Sequence, residues 1–287
     1  MIYDSAESWL EAPEKRVMLF GMSGLGKTHV ASMLRRAGGW FHYSVDYRIG
    51  TRYMGELIAD EFKLHAMRVP LLRELLLTDS VRIRSNITFD NLAPLSMYLG
   101  KPGDPARGGL AFPDYMTRQN QHRAAEISAM LDCGHFITRA RAIYGYRDFV
   151  CDTSGSVCEV VDPDDPDDPV LTATAALMLP VWIRGTEAHT AELVRRFDRA
   201  PKPMYYQPDF LSRAWRDYAD DHPGPVCPDD FIRWTYARAL AHRQPRYEAM
   251  ARRGVTVEAD EIAHVASPQD FAALIARAIT RKDRKDA

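Results

Sequence analysis

A short glycine-rich segment near the N-terminus constrains this chain more than any other feature. It follows the apolar run Arg16–Phe20 and precedes a helical pattern that begins at Lys27. Its residues are Gly21, Met22, Ser23, Gly24, Leu25, Gly26, Lys27 and Thr28. The glycines allow backbone angles and a close approach that a Cβ would prevent. The spacing therefore predicts a strand, a ring of phosphate-binding amides and a helix N-terminus.

This segment, called the phosphate loop below, matches the Walker A pattern and predicts a site for a nucleoside triphosphate with Mg²⁺. Lys27 supplies positive charge for the β- and γ-phosphates, and the Thr28 hydroxyl is the first candidate ligand for Mg²⁺. The sequence has no Asn-Lys-x-Asp motif to read guanine, so we expect ATP. The alternative, a glycine turn without a ligand, is disfavoured by the flanking strand and helix.

Five short apolar strands separated by helical patterns predict an α/β fold. The strands are Arg16–Phe20, Trp40–Val45, Asp148–Cys151, Leu179–Ile183 and Val255–Glu258. We expect a five-stranded, mostly parallel sheet covered by helices on both faces, with a large helical insertion. A further short strand is predicted at Val81–Arg84.

The insertion follows from a length argument. Residues 68–147 are too many for one connection in a compact α/β unit. We therefore predict a nucleotide-binding core of residues 1–67 and 148–287. Residues 68–147 would form an inserted helical subdomain that binds a substrate or a partner. A second helical excursion occupies residues 209–252.

Composition restricts the partners and the compartment. The chain has 287 residues, 46% of them hydrophobic, and a net charge of −2, so nothing in the overall charge indicates a nucleic-acid partner. No apolar run approaches the ~20 residues that span a bilayer, and the acidic N-terminus does not resemble a signal peptide. The four cysteines complete no zinc pattern. We expect a cytoplasmic protein.

Several segments together resemble the shikimate and gluconate kinase group of small-molecule kinases, within the wider nucleoside monophosphate kinase-like fold. Beside the phosphate loop, they are Phe41–Asp46, Val150–Ser156, Val181–Gly185, Arg195–Pro203 and Val255–Glu258. The resemblance implies ATP-dependent phosphate transfer. It does not extend to residues 68–147 and 209–252, where specificity is usually built, so it implies no particular substrate. The whole chain also resembles bacterial proteins that carry only the general label ATPase.

Two acidic residues at strand ends are candidates for the chemistry. Asp152 follows an apolar strand, so its carboxylate would emerge beside the phosphate loop and could hold Mg²⁺ directly or through water. It could equally cap the turn Asp-Thr-Ser-Gly. Asp46 ends the second strand and could accept a proton from a substrate hydroxyl. Its alternative is a helix N-cap, and the kinase resemblance favours the catalytic interpretation.

Arginines form the remaining candidates. Arg195 and Arg199 share a helix face, while Arg196 points elsewhere. The kinase resemblance implies an arginine-bearing lid here, with Arg195 and Arg199 stabilising charge on the γ-phosphate. The alternative is a solvated helix face. Arg48 and Arg52 could bind an anionic substrate, and the glycine-rich loop 100–109 could be either a mobile closure or a plain surface turn.

Two functions remain open at this point. The first is a kinase that transfers the γ-phosphate of ATP to an unidentified small-molecule acceptor. The second is a regulatory ATPase coupled to a protein partner that would bind the insertion. A third possibility, a nucleotide-binding module without catalysis, is disfavoured because Lys27 and Thr28 are intact.

Overall fold

The fold is α/β, with one five-stranded sheet flanked by helices. The computed structural model describes residues 1–286, with side chains through Arg284, so Ala287 of the predicted core lies outside the described residues. The strands are β1 (Arg16–Phe20), β2 (Trp40–Ser44), β3 (Asp148–Asp152), β4 (Leu179–Arg184) and β5 (Val255–Glu258). Their order is β2-β3-β1-β4-β5, and every neighbouring pair is parallel. The predicted fold class is confirmed.

Burial on both faces explains why these strands are nearly continuous apolar runs. In β1, Val17–Phe20 are all buried. Leu19 at the centre of the sheet lies in register with Asp152 on one side and Val181 on the other. The chain places β3 on one side of β1 and β4 on the other, which makes the carboxyl end of β1 a topological switch point.

Fifteen α-helices within the described residues accompany the sheet. In chain order they are α1 (Ala6–Glu11), α2 (Lys27–Ala37), α3 (Val45–Arg48), α4 (Gly55–Ala66), α5 (Pro70–Leu77), α6 (Ala93–Leu99), α7 (Phe112–Leu131), α8 (Cys133–Tyr144), α9 (Val157–Val160), α10 (Pro169–Ala175), α11 (Glu187–Arg199), α12 (Pro208–Asp221), α13 (Pro228–Ala251), α14 (Ala259–Ala263) and α15 (Pro268–Asp286). A π-helix covers Ile49–Tyr53 and a 3-10 helix covers Pro105–Arg107. Within residues 1–286, no helix has both the length and the apolar character needed to cross a bilayer.

The structure departs from the sequence predictions at two places. The predicted strand Val81–Arg84 is wrong, because residues 81–84 form no strand in the described part of the chain. The sequence pattern also predicts a helical stretch from about Gly50 to Met67. This stretch begins instead as the π-helix, in which the Met54 amide donates to the Ile49 carbonyl at 2.8 Å, five residues back. Neither feature changes the sheet.

The chain divides into two compact units. The first consists of Met1–Val45, Ile127–Ala200 and Arg233–Ala287, and it contains the whole sheet. The second consists of Asp46–Glu126 and Pro201–Ile232. That residues 68–147 form a separate inserted subdomain stays a prediction.

The second unit has its own core. Phe112 stacks on Trp215 with ring centroids 4.6 Å apart. The buried Gln119 side chain donates to the Met204 carbonyl at 3.1 Å and accepts from the Tyr206 amide at 2.8 Å. These contacts join α7 to the Pro201–Pro208 segment of the same unit, in which Tyr205 and Tyr206 are buried.

Candidate functional site

The phosphate loop has a backbone that requires glycine. Gly21, Gly24 and Gly26 adopt φ angles of 136°, 85° and 96°, in the region that residues with a Cβ rarely occupy. At Gly21, a Cβ would also lie 2.5 Å from the Ile183 carbonyl oxygen of β4. The loop therefore presses against the end of the neighbouring strand, and its shape is fixed by backbone contact.

Lys27 lies inside this loop. Its side chain is 6% exposed, and Nζ donates to the Gly21 carbonyl at 2.8 Å and to the Met22 carbonyl at 2.9 Å. Gly26 immediately before it is the left-handed N-cap of α2 and makes no side-chain cap. An ammonium group is thus held at a helix N-terminus, where the helix dipole also favours anions.

Asp152 lies on the strand next to the loop. It ends β3 in register with Leu19 of β1, is buried, and its Oδ1 has no hydrogen-bond partner among the described residues. Its Oδ2 lies 3.4 Å from Nε2 of His42 on β2, which is long for a hydrogen bond. A buried carboxylate oxygen without a partner is costly unless it binds something.

These residues fit a Mg²⁺ ion. Thr28, in the first turn of α2, is exposed, and Asp152 offers a carboxylate oxygen. No group of three or more His, Cys, Asp or Glu side chains within the described residues could hold a metal. Mg²⁺ usually takes one or two protein oxygens and fills its shell with phosphate oxygens and water.

The turn after β3 touches the phosphate loop directly. A Cβ at Gly155 would lie 2.1 Å from Oγ and 3.1 Å from the backbone nitrogen of Ser23. The Thr153 hydroxyl donates to the Leu19 carbonyl at 2.9 Å, and the Ser154 and Ser156 hydroxyls are 3.1 Å apart. The turn is therefore ordered by its own polar groups and forms one wall of the loop.

Side chains of helix α13 donate hydrogen bonds to this turn. Tyr247 donates its hydroxyl to the Gly155 carbonyl at 2.6 Å, and Nη1 of Arg243 donates to the same oxygen at 3.1 Å. The Arg243 guanidinium also makes a two-pronged pair with Glu159, at 2.9 and 3.0 Å. Burial by itself lowers the pKa of Arg243, but the Glu159 carboxylate outweighs it and sets that pKa well above its ordinary value. The Arg243 guanidinium therefore stays charged inside the protein.

The predicted lid arginines lie on α11 of the same unit. A Cβ at Gly24 would lie 3.1 Å from Cδ2 of Leu193 on this helix, so α11 passes close to the phosphate loop. Arg195 and Arg196 are exposed and both pair with Glu192 on their own helix. Arg199 is exposed and has no ion pair within the described residues.

The other candidates belong to the second unit. Asp46 lies in the first turn of α3, and the Arg48 guanidinium lies 5.5 Å from the centre of the Tyr53 ring. Loop 100–109 is tied down, because Lys101 pairs with Asp229 at 2.6 Å and the Asp104 amide donates to the Val226 carbonyl at 2.8 Å. Of the two interpretations of this loop, a plain surface turn fits these bonds.

Sequence reasoning missed His42, Glu159 and Arg243. His42 is an inward-facing residue of an aromatic strand, and nothing in the local pattern marks it. Glu159 and Arg243 are 84 residues apart, so only the folded chain joins them. The available signal was a single acidic residue, Glu159, within the otherwise apolar run Val157–Val161.

Comparison with known proteins gives one kind of match. No protein-family model matches the chain, and no curated protein matches it. Among solved structures, the chain is similar to shikimate kinase from Bacteroides thetaiotaomicron, with 15% identity and a TM-score of 0.37 over 94% of this chain and 97% of that one. The function proposed below rests on the geometry of the phosphate loop.

Proposed function

We propose that this protein binds ATP with Mg²⁺ at the phosphate loop and transfers the γ-phosphate to a small-molecule acceptor. The observation that carries this proposal is the position of Lys27. Its ammonium group is bound to two carbonyls of a loop that three left-handed glycines shape. A buried cation in a ring of backbone amides favours a polyphosphate over other ligands.

The roles of the other residues follow from what phosphate transfer requires, which is positioning and charge neutralisation. When bound, Mg²⁺ neutralises phosphate charge, and Thr28 and Asp152 would hold it. Arg195 and Arg199 would stabilise charge on the γ-phosphate. To do so, Arg195 would leave its ion pair with Glu192 and bind a phosphate oxygen instead. Asp46 would accept the proton of the acceptor hydroxyl.

Calorimetric titration with ATP tests the binding half. We expect Mg²⁺-dependent binding to the unaltered protein and a loss of about tenfold or more in Lys27→Ala, because a charge-assisted contact to phosphate is removed. Lys63→Ala is the matched control, since Lys63 is an exposed lysine on α4 paired with Asp60, and its affinity should not change. If no nucleoside triphosphate binds in Mg²⁺, the proposal fails.

An acceptor panel tests the transfer half. ADP release should rise strongly with an acceptor of the right class. Asp46→Asn should then lower that turnover while leaving the affinity for ATP unchanged, because the residue is proposed to act on the acceptor. ADP release that no small molecule stimulates would contradict transfer and leave only nucleotide binding.

One observation favours the second candidate, a partner-coupled ATPase. Helix α5 buries none of its residues, and Leu71 and Leu77 are 65% and 68% exposed. Exposed apolar patches mark interaction sites. Under this alternative, a partner from cell extract would be retained with ATP but not with ADP, and the double variant Leu71→Ser, Leu77→Ser would lose it. Equal retention in both nucleotides would exclude this function.

A further inference from the structure

A groove of about 360 Å³ lies at one edge of the sheet, in the first unit. One side is formed by the edge strand β5 and the residues just before it, and the other by the last turns of α15. The volume lies within the range of sites that hold small molecules. Strand β4 separates β5 from β1, so the groove lies about 10 Å or more to the side of the strand that leads into the phosphate loop.

Close packing fixes the two sides of this groove, which we call the edge groove. A Cβ at Gly254, just before β5, would lie 2.0 Å from the Pro180 carbonyl oxygen of β4. The start of β5 is thus held against β4 by a contact that only glycine permits. On the other side, Nζ of Lys282 in α15 donates to the carbonyls of Arg252 and Gly254, both at 2.9 Å. The helix and the strand are therefore joined directly.

Positive charge is concentrated in the edge groove. One carboxylate, that of Glu258, is found among its described lining residues, together with four cationic side chains: Arg184, Arg281, Lys282 and Arg284. The chain as a whole carries a net charge of −2, so this excess is local. A concave surface that carries one sign of charge attracts ligands of the opposite sign.

These cations keep hydrogen-bond donors that no protein group uses. Arg184 binds Glu258 through Nε and Nη2, which leaves Nη1. Arg281 binds Glu261 through Nη1 and Nη2, at 2.7 and 3.0 Å, which leaves Nε. Arg284 makes no hydrogen bond or ion pair within the described part of the chain. Because two of the three guanidinium groups are already held in place, binding an anion costs little further ordering of them.

From this excess of donors we propose that the edge groove binds a compact polyanion, a small molecule with two or more phosphate or carboxylate groups. Arg281 and Arg284 bind its charged groups, which guanidinium recognises in two places. The Thr256 hydroxyl, which lines the groove, adds a neutral donor. This second site goes beyond the proposed function and does not rest on it, because it uses neither ATP nor Lys27.

Calorimetric titration without nucleotide or Mg²⁺ tests the edge groove with three probes: pyrophosphate, citrate and inorganic phosphate. Pyrophosphate or citrate should bind, and which one does distinguishes phosphate from carboxylate recognition. Inorganic phosphate should bind about tenfold more weakly or worse, since it lacks a second anionic group. Added salt should weaken binding, because exposed charges are screened. Equal affinity for inorganic phosphate, or affinity that salt does not change, would overturn the assignment.

Variants locate the site. Arg281→Gln and Arg284→Gln should each weaken the polyanion that binds about tenfold or more. Arg277→Gln is the matched control, because Arg277 is an exposed arginine of the same helix that does not line the groove. All three side chains are exposed, so the variants should fold. An equal loss in Arg277→Gln, or no binding of pyrophosphate or citrate to the unaltered protein, overturns the proposal.

A further variant separates the edge groove from the phosphate loop, which also attracts phosphate groups. Lys27→Ala should keep the full affinity for the polyanion. If Lys27→Ala loses the polyanion while Arg281→Gln and Arg284→Gln keep it, the anion occupies the phosphate loop and the groove assignment fails. If the polyanion binds through Arg281 and Arg284 but no nucleotide binds in Mg²⁺, the groove stands and the proposed function fails.

Discussion

At the scale of single residues, Gly155 is a position beside the phosphate loop where an added side chain would clash. In Gly155→Ala the new methyl would meet Oγ of Ser23 at 2.1 Å and its backbone nitrogen at 3.1 Å. The hydroxyl can rotate away but the backbone cannot, so the loop must shift. Such overpacking costs about 1–3 kcal/mol, and we expect a loss of about tenfold or more in ATP affinity by calorimetry.

A helix glycine of the same unit provides the control for that experiment. Gly134 lies in α8, where a Cβ would meet only Cδ1 of Leu177, at 3.2 Å. Gly134→Ala should keep full ATP affinity and leave stability equal or higher, since alanine favours helix. Unchanged ATP affinity in Gly155→Ala would show that the turn does not shape the loop.

One isosteric substitution of Asp152 distinguishes between its two predicted roles, which are Mg²⁺ binding and turn capping. Asp152→Asn keeps the shape and can still bond within the turn, but it removes the negative charge. If Asp152 holds Mg²⁺, the variant should lose most of the gain in ATP affinity that Mg²⁺ gives. Titrations with and without Mg²⁺ measure that gain, and a gain equal to that of the unaltered protein would identify Asp152 as a turn residue only.

The burial of His122 in α7 predicts how the folding stability of the protein changes at acidic pH. Burial lowers the pKa of His122 to about 4, and Oε2 of Glu126, 3.6 Å away, is too far for a hydrogen bond. The pKa of a histidine in an unfolded chain is about 6.5. Between this pKa and that of the folded protein, the unfolded state therefore binds more protons than the folded state. Stability should therefore fall as the pH drops through this window, by about 3 kcal/mol at pH 4.

Urea unfolding at several pH values measures this effect. His122→Phe keeps a ring to stack on Tyr205, whose ring centre is 5.0 Å away, and cannot titrate. The variant should lose less stability than the unaltered protein between about pH 6.5 and 4. Parallel curves for the two proteins would mean that His122 is not the group responsible.

At the scale of secondary-structure elements, the contact between α13 and the turn after β3 depends on a buried ion pair. Arg243→Met leaves Glu159 charged and unpaired, which typically costs about 3–5 kcal/mol. The double variant Arg243→Met, Glu159→Leu removes both charges and should recover part of that stability in urea unfolding. A double variant less stable than Arg243→Met would show that the pair is not the cause of the loss.

Sequence patterns predicted the elements well where one local rule decides. The five strands are apolar runs ended by glycine or acidic residues, and each was placed to within about two residues, the usual uncertainty of an element end. Residues 81–84 alternate in the manner of a strand, but a strand also needs a neighbour, which no local pattern reveals. The π-helix was missed because the pattern of apolar residues does not indicate the one-residue change in hydrogen-bond register.

For a similar reason, the sequence predicted only part of the candidate site. The phosphate loop is one contiguous segment, so its residues could be read directly. The support of the turn after β3 instead joins Glu159 to Arg243. Such a pair depends on how the chain returns to itself, which spacing along the sequence does not encode.

At the scale of the whole molecule, ATP should leave a localised mark in hydrogen exchange. ATP with Mg²⁺ should slow amide exchange in the phosphate loop and in residues 153–156, because binding protects backbone groups that would otherwise open. Unchanged exchange in both segments would contradict the assignment of the phosphate loop as the ATP site.

The strand order has a consequence for how this protein is made. Val17 of the central strand pairs with Val150 and Leu179, so its neighbours leave the ribosome more than a hundred residues after it does. Contacts of such high sequence separation form late and slowly. The nascent phosphate loop therefore stays attached to an unpaired apolar strand while more than a hundred further residues are synthesised, and such an exposed segment is a target for chaperones.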